Sequence, residues 1–104
     1  MVQYIDSHID NVSLKNLSKQ FHYHPNYISN LLAKTLNKTF SGIVLEQRIQ
    51  RAVALLQGST LPVSEIADLL GYSNSSNFYK AFREYFQMSP REWQMRQDKR
   101  TDRF

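Results

Sequence analysis

No cysteine occurs among the 104 residues. That excludes a disulfide framework, a thiolate zinc site and a thiol nucleophile, and it fits a reducing cytoplasm, the location expected on this ground. No apolar run approaches the ~20 residues that a membrane span requires, so no membrane partner is expected. Strict apolar–polar alternation, the signal of half-buried strands, is missing as well. There is little charge of either sign in excess: thirteen Lys and Arg against nine Asp and Glu give +4, a mild bias toward a polyanionic partner that does not identify one. A chain of this length can fold as one domain or two small lobes, burying roughly two-thirds of its unfolded surface.

What is present is helical periodicity. Apolar residues recur at i, i+3 and i+4 throughout, which predicts an all-α fold of seven helices. Helix one is expected at about 2–9, with Val2, Ile5 and Ile9 on one side. Ser13 is a good N-cap for helix two, about 14–21, and Pro25 suits the first turn of helix three, about 25–36. Thr39 caps a long fourth helix, about 40–57, which Gly58 ends. Pro62 opens helix five, about 62–70, and Gly71 stops it. Ser73 or Asn74 caps helix six, about 74–86, and Ser89-Pro90-Arg91-Glu92 forms a capping box for helix seven. Beyond about Gln97 the charged tail lacks an apolar face and is expected to fray.

One pattern is written twice. Leu14-x-x-Leu17-Ser18-x-x-Phe21-His22-Tyr23 matches Val63-x-x-Ile66-Ala67-x-x-Leu70-Gly71-Tyr72 at an offset of 49, and Ile28-x-x-Leu31-Leu32 matches Phe78-x-x-Ala81-Phe82 at an offset of 50. Each copy is a short helix, a tight turn and a longer helix, the unit that lays its second helix in a DNA major groove. The expected organisation is a first helix-turn-helix lobe over 1–39, a linker helix over 40–57 and a second lobe over 58–104. Eighteen linker residues make a rod of ~27 Å, comparable with the ~34 Å between successive major-groove faces. The expectation is that helices three and six face one duplex in a common direction.

Projected at 100° per residue, helix three places Ile28, Leu31, Leu32 and Thr35 toward the core and Asn26, Ser29, Asn30 and Ala33 opposite. Asn can bond adenine N6 and N7 bidentately, which makes Asn30 the first candidate for a base contact, with Asn26 and Ser29 beside it. A solvated polar face is the ordinary reading of such a surface, and the duplicated context outweighs it. In helix six Phe78, Ala81, Phe82, Tyr85 and Phe86 form the expected buried stripe, Ser76, Lys80 and Arg83 point away, and Tyr79 lies at the boundary. Lys80 or Arg83 could address guanine or a phosphate. The aromatic stripe reads as core, not as a stacking platform for single strands, because the exposed face is expected to lack rings. Ser13, Thr39 and Ser89 begin helices whose N-termini favour anions, so they are candidates for the DNA backbone. Arg48 and Arg51 are expected to hold the lobes through salt bridges to Glu46, Glu65 or Asp68.

Other chemistry is not expected. His22-Tyr23-His24 lacks a third ligand and falls in the first turn. His8 and the Asp6/Asp10 pair lie on a solvated side of helix one, and no nucleophile elbow surrounds any Ser. No catalysis, metal or cofactor is anticipated.

The chain resembles the DNA-binding domain of the AraC/XylS family of bacterial transcription regulators over about residues 2–96. Ile66-Ala67-x-x-x-Gly71-Tyr72, Phe78-x-x-x-Phe82-Arg83 and Met88-Ser89-Pro90-x-x-Trp93 carry most of the likeness, with Arg48-Ile49-x-x-Ala52-x-x-Leu55-Leu56 in helix four. The resemblance implies two helix-turn-helix lobes joined by a long helix, binding of promoter DNA, and activation through contact with RNA polymerase. By position it implies base reading by Asn26, Ser29 and Asn30 in the first lobe and by Ser75, Ser76, Tyr79 and Lys80 in the second. This sequence departs from the family mainly in the first lobe. Asn30 replaces the common Arg, which trades a guanine preference for adenine. His22 stands for the usual Gly and Ser18 for the usual Ala, so the first turn is expected to be looser than the second. Asn37 and Gln87 occupy usual Gly positions; Asn suits a left-handed residue and Gln suits it poorly, so helix six is expected to end differently.

Most of the family carries a sensor or dimerisation domain ahead of this one, and the expectation is a fragment of such a protein, with a small stand-alone regulator as the alternative. Two competing functions stay open: a helical protein-interaction module whose basic charge is incidental, and the targeting half of a DNA-repair enzyme, which without Cys cannot itself accept an alkyl group.

Overall fold

The computed structural model describes residues 1–101, with side chains through Gln97. Seven helices and no strand occur among the described residues: α1 (Val2–Ser7), α2 (Leu14–Phe21), α3 (Pro25–Leu36), α4 (Phe40–Gly58), α5 (Val63–Leu69), α6 (Ser75–Phe86) and α7 (Pro90–Thr101). The chain divides into two compact units, Met1–Arg48 and Ile49 onward, and the division falls within α4.

Capping chemistry explains most of the helix starts. The Ser13 hydroxyl oxygen accepts from the Asn16 N–H at 3.1 Å, Thr39 from Gly42 at 3.0 Å, and Ser89 from Glu92 at 3.2 Å. Asn74 caps α6 by accepting from the Asn77 N–H at 2.9 Å. Each satisfies one of the donors that a first helical turn leaves unpaired. Pro62 is the N-cap of α5, one residue before the expected position, and makes no side-chain cap bond. Two boundaries differ from the periodic reading. α1 stops at Ser7, yet Ile9 still reaches the core, 2% exposed. α7 continues to Thr101, past the expected end near Gln97. Helix propagation needs only backbone bonds and good helix formers such as Lys and Arg, so a missing apolar face did not stop it. The remainder of the charged tail lies outside the described residues.

The first unit packs around Ile5, Ile9, Leu17, Ile28, Leu32, Ile43 and Val44. Arg48 ties this core shut by donating its Nε–H to the Ile9 carbonyl at 3.0 Å. The second unit packs around Ile49, Ala52, Leu56, Ile66, Ala67 and Leu70, with three aromatic residues, Phe78, Phe82 and Trp93. Gln94 plays the comparable tying role, donating to the Leu56 carbonyl at 3.0 Å near the end of α4. Burying each large apolar side chain contributes about 1.5–3 kcal/mol. The first half of α4 supplies Ile43 and Val44 to one core, and the second half supplies Ile49, Ala52 and Leu56 to the other.

Glu46 pairs with Lys38 at 2.7 Å, an exposed i, i+8 contact. Arg48 thus takes its structural place through a backbone carbonyl, a partner that charge matching along the sequence does not suggest.

Candidate nucleic-acid interface

In the first unit the turn between α2 and α3 is closed by local chemistry. His22 takes the left-handed conformation at φ 61° and its N–H donates to the Ser18 carbonyl at 2.9 Å. The Ser18 hydroxyl donates to the Tyr23 carbonyl, a bond the usual alanine could not make. That bond ties down the turn that was expected to be loose. His24 then caps α3, its Nδ1 accepting from the Asn26 N–H at 3.1 Å, so both histidines of the His-Tyr-His triplet have turn roles. Among the described residues, no cluster of His, Asp or Glu could hold a metal ion.

Burial on α3 follows the projected division with one exception. Ile28 and Leu32 are buried and Leu31 is partly covered, but Thr35 is exposed and donates its hydroxyl to the Leu31 carbonyl at 2.7 Å. On the opposite side Asn26, Asn30 and Ala33 are exposed and Ser29 is half-buried. The expected base-reading face is therefore open at Asn26, Asn30 and Ala33 and partly covered at Ser29.

In the second unit Gly71 makes the turn at φ 91°. The Tyr72 N–H donates to the Ala67 carbonyl at 3.1 Å, and the Tyr72 ring packs on Phe78 with centroids 5.5 Å apart. α6 buries Phe78 and Phe82 and half-covers Ala81 and Phe86. Tyr85 does not join this stripe: it is 49% exposed, edge-on to Phe86 at 5.0 Å. Tyr79 is 36% exposed, so the open side of α6 carries rings that the periodic reading denied it. Helical angle locates a residue on the stripe's edge, and only the neighbouring element determines whether that edge is covered.

Ser76, Tyr79, Lys80 and Arg83 line one continuous open strip with Glu84 and Gln87. Ser75, half-buried at the start of α6, lines a second depression with Tyr79, Thr60, Ser64, Arg91 and Gln94. Arg91 is the residue that sequence reasoning misses here, because Ser89-Pro90-Arg91-Glu92 signals a capping box and nothing in it points to Ser75 or Tyr79. α6 ends on Gln87 at φ 62°, left-handed after all, with its N–H on the Arg83 carbonyl at 2.8 Å. α3 also ends on a left-handed residue, Asn37 at φ 55°. The helix-ending geometry thus outweighs the side-chain preference, at a cost of roughly 1–2 kcal/mol for an L-residue there.

Ser13, Thr39 and Ser89 each accept one cap bond on the hydroxyl oxygen, and a hydroxyl that accepts can also donate its proton to an anion. Lys80 and Arg83 are the exposed cations on the strip, with Glu84 as the opposing charge. Chemically, the expected reading face of α3 offers neutral amides and a hydroxyl, with Tyr27 and Lys34 exposed beside it, and α6 offers cations, hydroxyls and a phenol. No helix of the described residues is long and apolar enough to cross a membrane.

Residues 17–96 match the model of a family described as a helix-turn-helix domain. The chain is 32% identical over 90 residues to the uncharacterised HTH-type transcriptional regulator YtdP of Bacillus subtilis, covering 86% of this chain and 11% of that protein. It is 34% identical over 90 residues to the regulatory protein PocR of Salmonella typhimurium, covering 86% of this chain and 30% of that one. Among solved structures, the C-terminal domain of AraT, a response regulator from Geobacillus stearothermophilus, aligns with a TM-score of 0.86 at 27% identity, over 90% of this chain and 79% of that chain. The chain thus spans well under half the length of these two curated relatives.

Proposed function

Because this chain belongs to the AraC/XylS family of helix-turn-helix transcription regulators, we propose that it binds double-stranded promoter DNA at a specific sequence and so regulates transcription. The observation that carries the reading is that both units leave the polar face of the second motif helix uncovered: Asn26 and Asn30 on α3, and Ser76, Lys80 and Arg83 on α6, are all exposed. A solvated face needs no such repetition at equivalent places of a duplicated motif. In this proposal α3 and α6 enter successive major grooves of one duplex. Asn26, Ser29 and Asn30 read bases of one half-site, and Ser75, Ser76, Tyr79 and Lys80 read the other. Ser13, Thr39, Ser89, Arg83 and Arg91 hold phosphates, which positions the helices without specifying sequence.

The wider role is part of the same proposal: activation by contact with RNA polymerase, in the cytoplasm, under a sensor or dimerisation domain ahead of this one. The polar faces need neither a cofactor nor a metal for this work.

Selection of bound duplexes from a random pool tests the core of the reading. It should return two short preferred elements about one helical turn apart, and binding should weaken steeply with salt. Equal affinity for the selected and a scrambled duplex at physiological salt would defeat it, and binding indifferent to salt would favour a protein-interaction module.

A further inference from the structure

Two half-bare aromatic rings meet at the start of α3. Tyr23 in the turn is 47% exposed and Tyr27 on the first helical turn is 51% exposed. Their ring centroids lie 4.9 Å apart with the planes inclined by 34°, and neither ring belongs to the first core. The duplicated motif does not require this. Tyr72, the counterpart of Tyr23, turns inward onto Phe78 and packs against the second core. In the first unit Ile28 stands in the place of Phe78 and is fully buried, so it presents no ring for Tyr23 to meet. Tyr23 packs on Tyr27 instead. Folding gains little from apolar surface left in water, and a patch that adjoins a polar reading face points to a ligand.

The placement suggests which ligand. Tyr27 lies three residues before Asn30 and seven before Lys34, spacings that put all three along one row of the helix, on the flank away from Ser29. Asn30 and Lys34 are exposed. Residues near the start of a recognition helix meet base edges, and the apolar feature those edges offer in the major groove is the thymine C5-methyl group. We infer that the Tyr27 ring, steadied by Tyr23, packs on the C5-methyl of a thymine next to the base addressed by Asn30. Tyr27 is then a specificity-determining residue, Tyr23 a positioning residue, and the first half-site is biased to A·T pairs by an amide and a ring together. This rests on the DNA-binding reading above.

The test uses a duplex selected by the whole chain from a random pool. Each thymine is replaced in turn by deoxyuridine, which removes the methyl group and keeps the pairing. Fluorescence anisotropy then measures affinity for the unaltered protein, Tyr27→Ala and Tyr27→Phe, with circular dichroism checking that each variant keeps its helices. At one thymine the unaltered protein should bind deoxyuridine about fourfold more weakly, the effect of one buried methyl. Tyr27→Ala should abolish that discrimination and Tyr27→Phe should retain it. The inference is overturned if no thymine shows the effect. It is also overturned if Tyr27→Phe weakens binding as Tyr27→Ala does without touching the discrimination, because the hydroxyl would then be holding a phosphate. If selection enriches no sequence, the DNA-binding reading fails and takes this inference with it; an enriched site blind to the methyl sinks the inference alone.

Discussion

The second unit closes its motif with Gly71 at φ 91° and a tyrosine packed onto a phenylalanine, whereas the first does so with His22 at φ 61°, a serine hydroxyl on the Tyr23 carbonyl, and a tyrosine turned outward. One turn relies on the freedom of glycine, and the other offsets strain with a local hydrogen bond. The cores differ in the same sense. Phe78 and Phe82 stand 5.8 Å apart and Phe82 meets Trp93 at 6.4 Å, while the buried part of the first core is aliphatic. The outer faces differ too: α3 sets the neutral amides of Asn26 and Asn30 where α6 has Ser76 and the cation Lys80. A duplicated motif therefore conserves its backbone path while the means of holding it, and the chemistry it displays, diverge.

The largest test of this contrast is in the cores. Phe78→Ala should cost about 3–5 kcal/mol and the equivalent Ile28→Ala about 2–5, read from urea unfolding; a markedly larger loss at Ile28 would break the view that the aromatic core is the stronger one. Next come the faces. Asn30→Ala and Lys80→Ala should each cost about 1–3 kcal/mol in DNA binding, but relax preference in different half-sites. Arg83→Ala should instead weaken all sequences alike and lower the salt slope by about one. If Asn30→Ala also lowered that slope, the assignment of neutral readout to α3 would be wrong. The turns follow. Gly71→Ala should destabilise by roughly 1–2 kcal/mol, since a β-carbon is strained at positive φ, and His22→Gly should stabilise by up to about 1. Opposite signs at matched positions are the sharpest form of the comparison, and melting temperatures would show them. The smallest effect belongs to Ser18→Ala, about 1 kcal/mol for one lost hydrogen bond. If the bond does offset strain, its loss should be smaller once His22→Gly is in place.

Much of the fold was legible because helix boundaries are set by local chemistry. Ser13, Thr39, Asn74 and Ser89 each cap the helix they precede. The apolar period likewise located Ile28, Leu32, Phe78 and Phe82 in the cores. Edges were harder to read. Tyr85 and Thr35 share their angle with buried neighbours, yet neither is buried. Partners distant in sequence were harder still: Arg48 meets the Ile9 carbonyl, and Glu46 goes to Lys38. Arg91 lies in a capping sequence and reaches the neighbourhood of Ser75 and Tyr79 only because α7 packs in the second unit.

The sequence by itself determined seven helices, a repeated three-element motif and the angular position of each candidate reading residue, because caps, turn residues and a 3.6-residue period act within a few residues of the chain. Tertiary structure alone decided which stripe edges stay bare, that Gln87 would accept a left-handed backbone, and that Tyr23 would turn away from its core while Tyr72 turned in. Those outcomes depend on the size and shape of whatever packs alongside, such as Ile28 in one unit and Phe78 in the other, and close packing fixes them only when the elements meet.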